Sequence, residues 1–196
     1  MTQVATPGAG EKNPGMVLDF YNMRRRDVKA ALPNAAHLGL AGLESAFDVQ
    51  IITQNIDDLH ERAGSSNVLH LHGEIFKMRS EVNDDLVYEI RDDIQLGEKS
   101  ADGKQLRPHI VWFEEAVPLI GPAARMVNAA DIFVVVGTSL LVYPAAGLIH
   151  YAGAQVPKFI VDKKIPPMPE IPNLVKIEKP ATSGIVALIS ILKEQS

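Results

Sequence analysis

"IITQNIDDLHERAGSSNVLHLHGEIFK", Ile51 to Lys77, opens on apolar residues, passes an amide pair and two aspartates, and ends on two close histidines and Gly73. With "FDVQ" ahead of it, the start reads as a strand apolar enough to be buried on both faces. Ligands in open α/β sheets bind at the carboxyl ends of strands. Thr53, Gln54, Asn55 and Asp57 stand at such an end. Asn55 and Asp57 are two apart, so an extended chain points them into one pocket. A plainer reading is an Asx-turn that closes the strand and caps a helix beginning near Asp57 or Asp58. His70 and His72 are also two apart. Histidine titrates near neutrality and serves as general base or metal ligand. Two histidines without a third ligand or any cysteine make zinc a poor choice. A base is the stronger chemistry, although a lone histidine is more often structural.

Outward from this stretch, strands and helices alternate. Upstream, residues 1–12 read as loop. Asn13-Pro14 reads as an N-cap followed by proline at the first helical position. Met16, Leu18, Phe20, Met23 and Val28 then carry a helical spacing to about Ala31. Asn34 caps a second helix to about Ala46. Downstream, "VLHLHG" is extended. Residues 78–106 turn acidic and polar and read as an excursion away from the core. "PHIVWF" is a strand, "PLIGPAARMVNAA" a helix, "DIFVVV" a strand and "PAAGLIHYAGA" a helix. "KFIVD" and "LVKIEK" are strands, and "TSGIVALISILKE" is a closing helix. This order predicts an α/β domain with a mostly parallel sheet. A second loaded strand end is Gly137-Thr138-Ser139. Glycine there permits close backbone approach to a ligand, and a hydroxyl there serves a phosphate or ribose oxygen.

The bulk numbers narrow the function. The 196 residues carry a net charge of −5, with 46% hydrophobic and 22% charged residues, so no global field attracts nucleic acid or anionic membrane. There is no cysteine, hence no disulfide, thiol nucleophile or thiolate metal site. The start lacks the features of a signal peptide, and no apolar run is long enough to span a bilayer. A cytoplasmic protein is expected.

"TQNIDDLHERAG" followed by "HLHGEIF" resembles the central motifs of the sirtuins, the NAD-dependent protein lysine deacylases. "RPHIVWFEEAVP", "DIFVVVGTSLLVYPAA" and the upstream "PNAAHLGLAGLE" continue the resemblance in the family's order, from about Asn13 to the C-terminus. The resemblance implies a Rossmann-like sheet with helices on both faces and a small lobe. It implies one domain over residues 1–196, the small lobe being built from 14–46 and the excursion 78–106. His72, before the glycine, would be the general base. Asn55 would orient the ribose and a water, Asp57 would bind the nicotinamide carboxamide, and Gln54 would contact the ribose. Gly137, Thr138 and Ser139 would contact the adenosine side. The backbone of Val111, Trp112, Phe113 and Glu115 would pair with an extended acyl-lysine peptide. His70 is read as structural. The implied reaction moves the acyl group to ADP-ribose, frees lysine and releases nicotinamide, so NAD is consumed.

Tyr21 and Arg24, three apart on the first long helix, share a face. "FYNMRRRDV" resembles the Tyr-x-x-Arg pattern of the branch that removes succinyl and malonyl groups. A guanidinium fork suits the carboxylate of such groups. The plainer reading is a solvated arginine face.

Three departures qualify the resemblance. The family's first strand, Gly-Ala-Gly phosphate loop and Ser-Gly-Ile-Pro-x-Phe-Arg segment are not found. Gly8-Ala9-Gly10 follow no strand and are not read as that loop. Weakened diphosphate and nicotinamide capture is therefore expected, which keeps two further readings open. One is a catalytically impaired module binding NAD or ADP-ribose, and the other is protein ADP-ribosyl transfer. The zinc cysteines are absent, so no zinc is expected. Glu114 replaces the usual glycine after "WF", adding bulk and a charge that would repel a succinyl carboxylate. Oligomeric state and protein substrates are not legible.

Overall fold

Asn13 and Asn34 each start a helix with their own side chain. Asn13 Oδ1 accepts the Met16 amide at 3.2 Å and opens α2, Pro14–Ala30. Asn34 Oδ1 accepts the amides of Ala36 and His37 and opens α3, Ala35–Gly42, while His37 Nδ1 reaches back to the Asn34 amide. Such reciprocal capping satisfies amides that a helix start leaves without partners. The computed structural model describes residues 5–138 and 143–195. It divides into a first unit of residues 1–32, 53–59 and 70–118, and a second of 33–52, 60–69 and 119–196. The helical stretch 14–46 is thus split, α2 lying in the first unit and α3 in the second.

In the first unit, α2 buries Val17, Leu18, Tyr21, Asn22 and Arg25, one face of a helix. It faces an antiparallel sheet of β3, Gly73–Ser80, with β4, Val87–Glu89, and β5, Leu106–Ile110, in the order β4-β3-β5. Val17 and Tyr21 pack with Ile75, Phe76, Ile110 and Trp112. Leu18 packs with Ile94 and Leu106. The excursion therefore contributes to a core, against the sequence reading. Polar groups reinforce it. Asn22 exchanges two hydrogen bonds with the backbone of Ile94, at 2.9 and 3.0 Å. Arg25 donates from Nε to the Ile75 carbonyl at 2.8 Å. Residues 1–12 are not all loop either. Thr6 caps a short helix α1, Pro7–Lys12, accepting the Ala9 amide at 3.2 Å.

The strand of the opening stretch is shorter than "FDVQIIT". It runs Ile51–Thr53 as β1 and pairs with β2, Val68–His70.

In the second unit, β6, Phe133–Val136, β7, Lys158–Asp162, and β8, Leu174–Glu178, form a parallel sheet in that order. Alternate residues of β7 face opposite ways. Phe159 and Val161 pack with α3 residue Ala36 and with Ile185, Leu188 and Leu192 of α6, Ala181–Gln195. Ile160 packs with Val135 and Ile149 on the other face. The cover there, Ala145–Tyr151, is helical as the sequence suggested, in the 3-10 form. α5, Ile120–Asn128, completes the unit. Truncating a residue as buried as Leu188 would cost about 2–5 kcal/mol. No helix among the described residues is long and apolar enough to cross a membrane.

Candidate active site

Both histidines turn back onto the loop that leaves β1. His72 Nδ1 lies 3.0 Å from the Gln54 carbonyl, and His70 Nδ1 lies 3.4 Å from the Asn55 carbonyl. A carbonyl only accepts, so its bond to His72 places the proton on Nδ1 and leaves the Nε2 lone pair as a proton acceptor. The two rings differ in access. His70 is 8% exposed, whereas His72 is half-buried. That difference suits His70 to structure and His72 to chemistry.

Gly73 fixes the backbone beside His72. Its φ is +85°, and an added Cβ would fall on the His109 carbonyl, 2.9 Å from its carbon and 3.0 Å from Ile110 Cα. Only glycine meets both demands. The His72 carbonyl in turn accepts the Val111 amide at 2.9 Å, tying His72 to the segment that follows β5.

Residues 54, 57 and 58 are bends, and 55 and 56 belong to no regular element. Asp57 Oδ1 accepts the Leu59 amide at 3.1 Å and starts α4, Leu59–Ala63, as the Asx-turn reading anticipated. Asn55 is exposed, its amide donating to Thr53 Oγ1 at 3.1 Å, and its carboxamide has no partner among the described residues. Gln54 is half-buried.

β5 ends at Ile110, so Val111–Glu115 is not strand. Its amides are largely taken. Val111 donates to His72, Phe113 to the Ala5 carbonyl at 2.9 Å, and Trp112 to Glu115 Oε2 at 2.7 Å. Glu114 holds φ +74°, the left-handed form that glycine takes freely.

Tyr21 is 4% exposed and stacks on Trp112 with ring centroids 6.4 Å apart. Burial pushes its hydroxyl up to about 12, so it stays a hydrogen-bond donor. The three consecutive arginines have separate fates. Arg25 is buried in backbone hydrogen bonds, and Arg26 pairs with Asp93 at 2.6 Å. Arg24 is half-buried with its guanidinium 5.7 Å from the Phe20 ring, and it pairs with no carboxylate among the described residues.

Sequence reasoning missed Arg107 and Arg79. Arg107 grips Glu115 with both terminal nitrogens, at 2.7 and 3.2 Å, and lies 3.3 Å above the Trp112 ring. Burial pulls its guanidinium below its ordinary value, and Glu115 opposes that. The signal was present as an arginine and a glutamate flanking the chain's single tryptophan.

In the second unit, Gly137 follows β6 with φ +62°, and a Cβ there would meet nothing within 4 Å among the described residues. Thr138 follows, half-buried. Ser139 lies outside the described residues.

Residues 78–106 offer no fitting ligands for the zinc that the resemblance implies. Ser80 is fully buried and donates to Asp102 Oδ2 at 2.7 Å, and Ser100 Oγ donates to Asp102 Oδ1. This oxygen cluster is spent on its own hydrogen bonds and lacks the sulfur and nitrogen donors of structural zinc.

One strand end of this α/β protein thus carries a histidine held through Nδ1 and an exposed carboxamide without a partner among the described residues. Residues 2–144 match the Sir2 family model, and the chain belongs to that family. An NAD-dependent protein deacylase of Helicobacter pylori is 52% identical over 162 residues, 83% of this chain and 71% of that protein. One of Bacteroides thetaiotaomicron is 45% identical over 196 residues, 97% of this chain and 84% of that protein. A solved Sir2 homolog–NAD complex superposes with TM-score 0.87 at 33% identity, covering 99% of this chain and 78% of that one. Sir2 bound to acetylated peptide gives 0.82 at 28% identity, covering 97% and 84%.

Proposed function

We propose that this chain removes acyl groups from protein lysines with NAD as co-substrate, and that it favours acidic acyl groups. The observation that carries the chemistry is His72, half-buried, with Nδ1 on the Gln54 carbonyl and Nε2 left to accept a proton. NAD, when bound, would supply an electrophilic ribose carbon that the acyl oxygen bonds as the bond to nicotinamide breaks. His72 Nε2 would take the proton of the ribose hydroxyl whose oxygen then bonds the acyl carbon, and the Gln54 carbonyl holds the ring steady. The Asn55 carboxamide, without a partner among the described residues, orients the ribose. Asp57 has one oxygen committed to the Leu59 amide, and the other serves the nicotinamide carboxamide. Gly137, Thr138 and Ser139 serve the adenosine side.

Two features support the acyl preference. Tyr21 keeps its proton and donates, and Arg24 has no carboxylate partner among the described residues. Together they match a terminal carboxylate. The names of the Helicobacter and Bacteroides relatives and the solved acetyl-peptide complex support an acylated peptide as the partner. Such a peptide would enter along Val111–Glu115 and compete with Ala5 for the Phe113 amide. The net charge of −5 favours neither nucleic acid nor anionic membrane as a partner.

The test is mass spectrometry of matched succinyl-lysine and acetyl-lysine peptides incubated with the protein and NAD. Loss of the acyl mass with equal release of nicotinamide, faster for succinyl, is expected. Loss from neither peptide would refute the activity, and a faster acetyl reaction would refute the preference.

A further inference from the structure

Trp112 is 7% exposed and is held from several directions within the first unit. Tyr21 stacks on it with an interplanar angle of 23°, and the Arg107 guanidinium lies 3.3 Å from the ring centroid. A side chain on Gly10 would collide with the indole, its Cβ falling 2.9 and 3.0 Å from ring atoms. The Trp112 amide is bound by Glu115 Oε2, and the Glu115 amide returns to the Trp112 carbonyl at 3.1 Å, so residues 112–115 close on themselves. Arg107 also holds the strand end before this turn, since Nη2 donates to the Ile110 carbonyl at 3.0 Å. Beyond it, Arg79 adds a charge 3.9 Å from Glu115 Oε2 and pairs with Asp84. Next to this fixed tryptophan stands Phe113, 53% exposed.

A surface turn does not require a bidentate, mostly buried ion pair. Desolvating two charges is costly, and their geometry is what repays it. The pair holds the Ile110 carbonyl and the Trp112 amide on either side of Val111, whose own amide donates to the His72 carbonyl.

We propose that Arg107 and Glu115 are positioning residues for the acyl-lysine peptide, setting Trp112 and Phe113 in register with the base. This rests on the deacylase reading. It assigns the pair to peptide binding and not to NAD binding.

Trp112 is the chain's single tryptophan, so its emission reports on the brace without turnover. Fluorescence titrations with a succinyl-lysine peptide and with ADP-ribose would be run on the wild type, Arg107→Met, Arg107→Lys and Glu115→Gln. Arg107→Met is expected to raise acrylamide quenching of Trp112 at least twofold. It is expected to weaken peptide binding at least tenfold and ADP-ribose binding less than twofold. Glu115→Gln keeps an acceptor for the Trp112 amide but loses the bidentate pair with Arg107, and should weaken peptide binding about threefold to tenfold with ADP-ribose binding within about twofold. Arg107→Lys keeps the charge but not the fork, and should fall between. If Arg107→Met does not fold, the lysine variant carries the comparison. Equal weakening of both ligands, or unchanged quenching and peptide affinity, would overturn the proposal. A wild type that binds peptide but turns nothing over would refute the deacylase reading while leaving the brace decided by these titrations.

Discussion

Replacing Gly73 by alanine strikes the point where fold and chemistry meet. Gly73 holds φ +85°, a form that costs an L residue roughly 1–2 kcal/mol. The new methyl would also fall on the His109 carbonyl, with backbone atoms on every near side. Backbone does not swing away as a side-chain tip does, so β3 and β5 must part locally. The first casualty is the bond from the Val111 amide to the His72 carbonyl, a loss of about 1 kcal/mol. Together these predict a loss of roughly 3 kcal/mol, or about 6–12 °C in Tm for a protein of this size. Denaturant titration followed by circular dichroism reads the loss. Turnover should fall further, by about a hundredfold, because His72 is carried on the displaced backbone. Gly42→Ala is the control. Its backbone is helical at φ −63°, and nothing lies within 4 Å of the added methyl. That change should be neutral or stabilise by up to about 1 kcal/mol. A Gly73→Ala protein within about 1 kcal/mol of wild type and with full turnover would refute the reasoning.

Arg24→Met should lower desuccinylation at least tenfold more than deacetylation in competition assays, and equal losses would make Arg24 merely structural. Hydrogen bonds from Ser100 and Ser80 hold the Asp102 carboxyl below its ordinary 3.8. Its stabilisation is therefore complete above that value and drains as pH falls below it. Thermal melts of Asp102→Asn should show a lower Tm near neutrality and a shallower acid decline than wild type. Burial holds His109 below its ordinary 6.5. The unfolded chain then takes up that proton first, so stability is full above 6.5 and falls as pH drops through it. His109→Gln should flatten the dependence of Tm on pH as pH drops below 6.5, and an unchanged slope would contradict this.

The helix starts at Asn13 and Asn34 were legible because capping is local chemistry, written in the two or three residues around each cap. The parallel sheet was legible because β6 and β7 are short apolar runs between helical patterns. The excursion misled because its core share rests on Ile94 and Leu106, twelve residues apart in a polar background, and on the buried pair Asn22 and Arg25 of another element. Tertiary satisfaction of polar groups leaves no period in a sequence. The helix at Pro7–Lys12 was hidden by its two glycines, although Thr6 and Pro7 were a start signal. Of the site, His72 and His70 were separable by chemistry, but their bonds to the carbonyls of Gln54 and Asn55 were not, since a carbonyl is present at every residue. The brace of Arg107 and Glu115 was missed because its partners meet across a turn that follows a strand, where neither strand nor helix spacing holds.

The central claim is that His72 is the base for NAD-dependent deacylation. The most direct measurement compares wild type with His72→Ala, with NAD and a succinyl-lysine peptide. Nicotinamide release and peptide mass are followed together, and Trp112 emission reports peptide binding. Wild type should free one nicotinamide for each lysine deacylated, while the alanine variant binds peptide equally well and deacylates at least a hundredfold more slowly. An alanine variant that deacylates at the wild-type rate would contradict the account.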